Sequence, residues 1–219
     1  MLIQGQVGQL TALDGVQNNL RQGRTGEIIL SQAHGRYYEQ TSRGQMFTLT
    51  LSATTTGIAA GNILGAAAAA STNFAIWNPL GSGYNLSITK CMVGLISGTL
   101  ATGPLYHAVI QTAIPTIATN STNGVAYNNL VSGKSPVARY VAVAAGTALT
   151  GASAPVVLRT MNLTFSAAAF SAPAGANTLA DLPDGDLIIP PGYGWVPQFS
   201  GTGTSVLNSY SVTWEEIPI

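Results

Sequence analysis

Phe47-Thr-Leu-Thr-Leu51 alternates apolar and hydroxyl side chains, which is the period-two pattern of a strand with one buried face. Phe74-Ala-Ile-Trp77 is a second such strand, and it ends at turn residues running from Asn78-Pro79 to Gly81-Ser-Gly83. The segment from Tyr84 to Ile96 then predicts a long strand with a bulge near Gly94. The chain therefore begins its folded part as a series of strands joined by tight turns.

The same pattern continues to the end of the chain. Strands are predicted at 105–114, 139–144, 155–165, 187–189, 195–199 and 206–217, with long loops at 118–135 and 167–180. The alanine run at 65–70 is too short to hold a helix alone and predicts a single helical turn or a loop. Many even strands joined by Gly, Pro and Asn turns predict an all-β protein, a single antiparallel β-sandwich of the jelly-roll type over residues 46–219. The expected core includes Phe47, Leu49, Leu51, Ile76, Leu86, Ile88, Ile189 and Trp214.

The first 45 residues differ from the rest, because seven of the sixteen charged side chains lie there and apolar residues are sparse. We interpret residues 1–25 as an extended N-terminal arm and place the domain boundary at 45/46; a loosely ordered terminus without a role is the alternative. Guanidinium groups suit paired contacts with carboxylates across an interface. The expected protein-contact residues of this region are Leu10, Leu13, Val16, Leu20, Arg21, Arg24, Arg36 and Arg43.

Charged residues make up 7% of the chain, against about 25% in ordinary soluble domains, and no carboxylate occurs from Gln40 to Ala180. Acid–base catalysis, metal binding and phosphate binding draw on such side chains, so we expect neither an enzyme nor a cofactor or small-molecule substrate. The net charge of zero offers no basic field for nucleic acid. No apolar run reaches the ~20 residues of a membrane helix, so no membrane partner is expected. Cys91 is the single cysteine, so an internal disulfide is impossible.

Several local motifs have a chemical interpretation beside a structural one. Gly133-Lys134-Ser135 resembles the end of a phosphate-binding loop, but Asn128 stands where the first glycine is required. His107 lies in an apolar stretch and is interpreted as a structural histidine, whereas His34 is expected at the surface. These observations favour polar loops and core packing over catalysis.

The acidic and aromatic residues near the end of the chain allow further alternatives. Asp181, Asp184 and Asp186 could hold a cation such as Ca²⁺, although an ordinary turn is favoured. Glu215-Glu216 would point to opposite faces of a strand, which argues against a carboxylate pair for glycoside cleavage. The three tryptophans could form a sugar platform but are expected in the core or an interface: Trp77, Trp195 and Trp214.

Three ordered segments resemble the small jelly-roll decoration (cement) proteins of tailed-bacteriophage capsids. They are Phe74-Ala-Ile-Trp-Asn-Pro-Leu-Gly-Ser-Gly-Tyr-Asn-Leu86, Ile188-Ile-Pro-Pro-Gly-Tyr193 and Ser211-Val-Thr-Trp-Glu-Glu-Ile-Pro218. The resemblance spans residues 45–219 and leaves the N-terminal arm uncovered.

The resemblance implies a virion structural protein, made in the host cytoplasm, that seats as a homotrimer on the outer capsid surface. There it would bind the major capsid protein and stabilise the shell. The composition agrees, because a neutral, weakly charged chain tends to self-associate and its Ser, Thr and Asn side chains are cheap to desolvate. The alternative, from the binding-module class, is a tail-fibre or baseplate component that binds host surface glycans.

Overall fold

The computed structural model describes residues 5–6, 20–21, 35–51, 58–59, 71–97, 103–111, 125–131, 133–148, 156–165, 178–199 and 207–219. The chain divides into two compact units, Met1–Glu39 and Gln40–Ile219. In the first unit, strands β1 (Gly5–Gln6) and β2 (Leu20–Arg21) pair in parallel. The extended arm over 1–25 otherwise lies outside the described residues, and the boundary at 45/46 stays a prediction.

The second unit is built almost entirely from strands, preceded by the short helix α1 (Tyr38–Ser42). The strands are β3 (Met46–Thr50), β4 (Ile58–Ala59), β5 (Ser71–Trp77), β6 (Tyr84–Ser97), β7 (Gly103–Gln111), β8 (Ala126–Asn128), β9 (Arg139–Ala148), β10 (Val156–Phe165), β11 (Thr178–Asp181), β12 (Leu187–Ile189), β13 (Tyr193–Phe199) and β14 (Leu207–Pro218).

These strands form two packed sheets, so the predicted all-β sandwich is confirmed. One sheet has the order β10-β7-β13-β5-β9; the other has the order β11-β6-β14-β3-β8, with β12 beside β6 and β4 beside β14. Every pairing within these two sheets is antiparallel. We refer to them as the five-stranded and the seven-stranded sheet.

The core lies between the two sheets and is built by the period-two alternation. All eight residues expected in the core are buried: Phe47, Leu49, Leu51, Ile76, Leu86, Ile88, Ile189 and Trp214. Aromatic pairs occupy its centre: the rings of Phe47 and Trp214 stack with centroids 5.8 Å apart, and those of Phe74 and Tyr210 at 5.5 Å. Burying a large apolar side chain contributes about 1.5–3 kcal/mol, so these residues supply much of the driving force.

The five-stranded sheet is also apolar on its outer face. A second buried cluster consists of Ala75, Trp77, Ala108, Ile110, Val141 and Val196. These residues alternate along β5, β7, β9 and β13 with side chains of the main core, and therefore face away from it. A strand buried on both faces has apolar residues at successive positions, which explains why Phe74-Ala-Ile-Trp77 is apolar throughout.

The three segments that carry the family resemblance meet at one end of the sandwich. The buried Asn78 amide donates hydrogen bonds to the carbonyl oxygens of Tyr84 (2.8 Å) and Ile189 (2.9 Å). The backbone of Asn78 also exchanges hydrogen bonds with the Pro190–Tyr193 turn, donating to Tyr193 and accepting from Gly192. The chain end joins the same place, because the Ile219 N–H donates to the carbonyl of Gly83.

One local prediction differs from the structure. The loop predicted at 118–135 contains β8, which pairs with β3 as a terminal strand of the seven-stranded sheet. The irregularity expected in β6 near Gly94 is present at Ile96, where the register against β14 shifts, and a second shift occurs at Thr89.

Replacing Asn78 tests how much the meeting point of these segments contributes to stability. Asn78→Ala removes both hydrogen bonds that the amide donates and leaves the Tyr84 carbonyl with the Ser82 hydroxyl as its side-chain donor. Each lost hydrogen bond costs about 0.5–1.5 kcal/mol. We expect the urea midpoint to fall clearly, whereas Asn129→Ala, which removes one exposed hydrogen bond to Thr48, changes it little. Equal midpoints for the two variants would contradict this assignment.

Candidate functional site

The described residues contain one cluster that looks like acid–base machinery, and it lies inside the sandwich. The Nε2 atom of the buried His107 is 2.6 Å from Oδ2 of Asp181. His107 belongs to β7 of the five-stranded sheet, and Asp181 ends β11 of the seven-stranded sheet. A histidine hydrogen-bonded to a carboxylate is the arrangement that orients a general base in hydrolases, so the other ring nitrogen decides what this pair can do.

That other nitrogen is already used by a tryptophan. The indole Nε1–H of Trp195 donates to Nδ1 of His107 at 3.0 Å. Because an indole N–H can only donate, Nδ1 must be unprotonated and the ring proton must sit on Nε2, pointing to Asp181. Burial lowers the pKa of His107, against the hydrogen bond and charge of Asp181, which raise it. His107 is thus a neutral structural histidine whose lone pair cannot accept a substrate proton.

Asp181 joins the two sheets through further contacts. Nη2 of Arg159, on β10, donates to the same Oδ2 atom at 3.0 Å, so two strands of the five-stranded sheet, β7 and β10, contact one carboxylate of the other sheet. Cys91 is the register partner of Asp181 on β6. Burial, with a smaller effect of the Asp181 charge, raises the pKa of the Cys91 thiol well above its ordinary range. The thiol stays protonated and unreactive.

The aspartates proposed as a possible cation site do not form a cluster of metal ligands. Asp181 is turned into the sandwich, Asp184 adopts a left-handed backbone conformation (φ 54°), and Asp186 is exposed, with its carboxylate 3.9 Å from Nη1 of Arg159. Across the described ranges, no three His, Cys, Asp or Glu side chains gather in an arrangement that could hold a metal ion.

Glu216 is the second buried carboxylate, and it also links the sheets. Its Oε1 atom accepts hydrogen bonds from the backbone N–H groups of Val137 (2.7 Å) and Ala138 (2.9 Å), which lead into β9. Burial raises the pKa of Glu216, although these two N–H groups, the Trp214 indole and Lys134 oppose the shift. Its neighbour Glu215 lies on the other face of β14, so the two carboxylates face opposite sides of the strand as predicted.

The outer face of the seven-stranded sheet has hydroxyl groups that pair with one another. Thr48 and Thr213 lie 3.0 Å apart between hydroxyl oxygens, and Thr50 and Ser211 lie 2.8 Å apart. A hydroxyl with an internal partner loses less on desolvation than a free one. This face is therefore suited to being covered by protein.

A groove of about 450 Å³ lies beside β8 and the turn that follows it. Its lining includes the exposed side chains of Tyr127 (68%) and Val131 (87%), together with Lys134. The residues that resembled a phosphate-binding loop, Gly133-Lys134-Ser135, form part of its wall in non-helical backbone, without the following helix that such a loop needs.

The predicted contact residues of the N-terminal region are only partly described. Leu20 and Arg21 form β2, and Arg36 and Arg43 are exposed, with the Arg36 guanidinium 5.4 Å from the centre of the Tyr37 ring. Outside the described residues lie Leu10, Leu13, Val16, Arg24 and His34. Their role as a contact surface stays a prediction.

No family model, no curated protein sequence and no solved structure matches this chain. The helical residues that the structure describes include no segment with the length and apolar character needed to cross a membrane.

Replacing His107 by glutamine tests its neutral state. Because burial places the pKa of folded His107 below the 6.5 of the unfolded chain, the wild type should lose stability as the pH falls from 6.5 towards the folded pKa. His107→Gln removes that titration, so the difference in unfolding free energy between the two proteins should change between pH 7.5 and pH 5. Urea unfolding at both values measures it; a constant difference would show that His107 titrates alike in both states.

Two variants separate the charge of Glu216 from its hydrogen bonds. Glu216→Ala leaves two backbone N–H groups unpaired and should cost about 1–3 kcal/mol per group. Glu216→Gln retains an acceptor oxygen and loses the buried charge. Because the folded pKa is raised, stability from the neutral acid is present below pH 4.5 and lost as the pH rises through the folded pKa. At pH 7.5 the glutamine variant should therefore equal or exceed the wild type, and an alanine-sized loss would contradict this.

Proposed function

We propose that this chain is a structural protein of a tailed-phage virion: a decoration protein that seats on the outer capsid surface as a homotrimer. It would bind the major capsid protein and stabilise the shell, with no catalytic step. The observation that carries the proposal is the meeting of the three resembling segments at one end of the sandwich. Asn78 joins the first segment to the second, and the third segment, in β14, pairs with the part of the first that lies in β6. Their common occurrence therefore has a physical reason.

The strand pairings support a jelly-roll topology within this proposal. Strands β3 and β14 pair, as do β5 with β13, β6 with β11 and β7 with β10. Each pair joins a strand from the first half of the sandwich to one from the second half. As the first partner moves forward along the chain from β3 to β7, the second moves backward from β14 to β10. That order is expected when one long antiparallel ribbon is rolled into two sheets, as in the jelly rolls of viral capsid proteins.

The chemistry of the described side chains also supports an assembly role. The buried titratable side chains of His107, Asp181 and Glu216 are committed to contacts that join the sheets. The paired hydroxyls of the seven-stranded sheet offer a surface that protein can cover at low cost. The tail-fibre alternative receives less support, because the tryptophans that could have formed a sugar platform are all buried.

Binding to the assembled shell would stabilise it by mass action. A protein that binds only the expanded lattice stabilises that lattice by about 2.7 kcal/mol per site when its free concentration is 100 times Kd. We expect the purified protein to co-sediment with expanded shells of the major capsid protein, to raise their disruption temperature, and to bind unexpanded shells weakly. Density for the chain at the tail tip of imaged particles, with none on the head, would overturn the proposal.

The same assay tests the N-terminal contact residues. A chain lacking residues 1–25 should keep the oligomeric mass and unfolding temperature of the full chain but bind shells much more weakly. If this truncated chain bound shells normally, the sandwich and not residues 1–25 would make the contact with the shell.

A further inference from the structure

We propose that one edge of the sandwich docks into the opposite edge of a second copy of this chain, so that copies associate head to tail. The inference names the surfaces of the homotrimer and rests on the trimer in the proposed function. The first surface is the β10–β11 edge, formed by residues 156–165 and 178–189. The second is the β8–β9 edge, formed by residues 125–131 and 133–148.

These two edges lie on opposite sides of the molecule. Strands β10 and β11 end their sheets on one side, where Arg159 reaches Asp181 across the gap at 3.0 Å. Strands β8 and β9 end the same sheets on the other side. A contact between the two edges must therefore join different surfaces of two copies.

The charges of the two edges are complementary. The β10–β11 edge has one arginine, Arg159, against three aspartates, Asp181, Asp184 and Asp186, which gives a net charge of −2. The β8–β9 edge has Lys134 and Arg139 and no carboxylate, which gives +2. Although the net charge of the whole chain is zero, the two edges thus have net charges of opposite sign. At physiological salt such charges act over about 8 Å, which is contact range.

The β10–β11 edge is also apolar where it is most exposed. Val156, Val157 and Leu158 follow one another on terminal strand β10, and all three are exposed; Leu182, directly after β11, is exposed as well. Natural terminal strands are usually protected by lysine, proline or a very short length. Strand β10 has ten residues with neither lysine nor proline, although Arg159 and register shifts against β7 after Val157 and after Thr160 interrupt its middle. Its first residues therefore present an apolar edge that a second chain can contact. We call these four side chains the ridge.

The β8–β9 edge offers the matching depression. Its groove of about 450 Å³ is lined by apolar Val125 and Val131 and by Tyr127, with Lys134 in its wall. Tyrosine is among the residues that most often dominate binding energy at interfaces. The groove has room for several aliphatic side chains, and Lys134 brings positive charge to an edge that would face the aspartates beyond the ridge.

Charge also decides against a symmetrical contact between two β10 strands. Such a contact would bring together two edges of net charge −2, whereas the ridge-to-groove contact joins −2 to +2. A contact between different surfaces generates a closed ring when each copy is rotated by a whole fraction of a turn. The trimer requires the twist of the sheets to incline the two edges so that each contact rotates the next copy by one third of a turn; edges facing in opposite directions would build an open row of copies.

The first test uses exposed positions so that the fold is preserved. Val156→Lys alters the ridge, Val131→Asp alters the groove, and Leu80→Lys is the control at an exposed position in the turn between β5 and β6, outside the residues of both edges. Wild type and control should sediment at three times the 22.5 kDa chain mass. Each edge variant should raise the dissociation constant at least about tenfold, a loss of about 1.4 kcal/mol, at an unchanged unfolding temperature. Leu158→Lys and Tyr127→Ser replace either variant that unfolds.

Mixing the two edge variants distinguishes head-to-tail docking from a symmetrical contact. The Val156→Lys chain retains a groove and the Val131→Asp chain retains a ridge. Together they should form a one-to-one dimer that cannot close into a ring. If two β10 strands paired symmetrically, Val131→Asp would assemble alone like the wild type and mixing would add nothing, which would overturn the proposal.

The outcomes also separate this inference from the proposed function. A trimeric wild type whose two edge variants remain trimeric overturns the ridge and groove and leaves the homotrimer in place. A wild type that stays monomeric at micromolar concentration overturns both. If the mixed dimer forms but the wild-type protein does not bind capsid shells, the head-to-tail contact is supported and the capsid role is overturned.

Discussion

The carboxylate of Asp181 fixes the arrangement of one whole side of the sandwich. It is the first carboxylate after Glu39, and it accepts hydrogen bonds from His107 and Arg159 of the opposite sheet. Burial lowers the pKa of His107 and keeps it neutral, and its second nitrogen is committed to Trp195. In a chain with so few charges, this one lies where two strands of one sheet, β7 and β10, meet terminal strand β11 of the other, and both strands supply hydrogen-bond donors to it.

Composition describes how much charge a chain has, and the fold decides where it acts. Charged residues make up 7% of the chain and the net charge is zero, so composition alone indicates no charged surface. Sheet order separates the few charges that remain, because the aspartates near β11 and the cations near β8 and β9 belong to opposite ends of the sheets. The apolar side chains follow the same division into a ridge and a groove. Because the chain has so few charged side chains, each one contributes a larger share of the electrostatic potential at the surface.

The sequence predicts the elements whose burial alternates, and it fails where burial does not. Phe47 and Trp214 are predicted core residues because apolar and polar residues alternate around them. The sequence predicts a loop at β8 because the three residues of this strand are too few to display a period. Period two implies one buried face, so it does not predict the outer cluster around Trp77, which lies on a sheet that buries both faces. The contact of His107 with Asp181 joins residues 74 positions apart, and no local pattern encodes it.

A buried polar network is an uncertain source of stability, since well-packed apolar groups often match it. Its effect on register is stronger here. Strand β11 pairs with β6 over four residues, and the residues on either side of Asp181, Ala180 and Leu182, are both apolar and exposed. A slip by one residue would turn these two inward, so hydrophobic patterning alone barely distinguishes the two registers. The slip would also carry the Asp181 carboxylate out of the interior and leave His107 without its acceptor, at about 1–3 kcal/mol for each orphaned group. The carboxylate therefore selects the register that the apolar residues leave undecided, and with it the position of the β10–β11 edge.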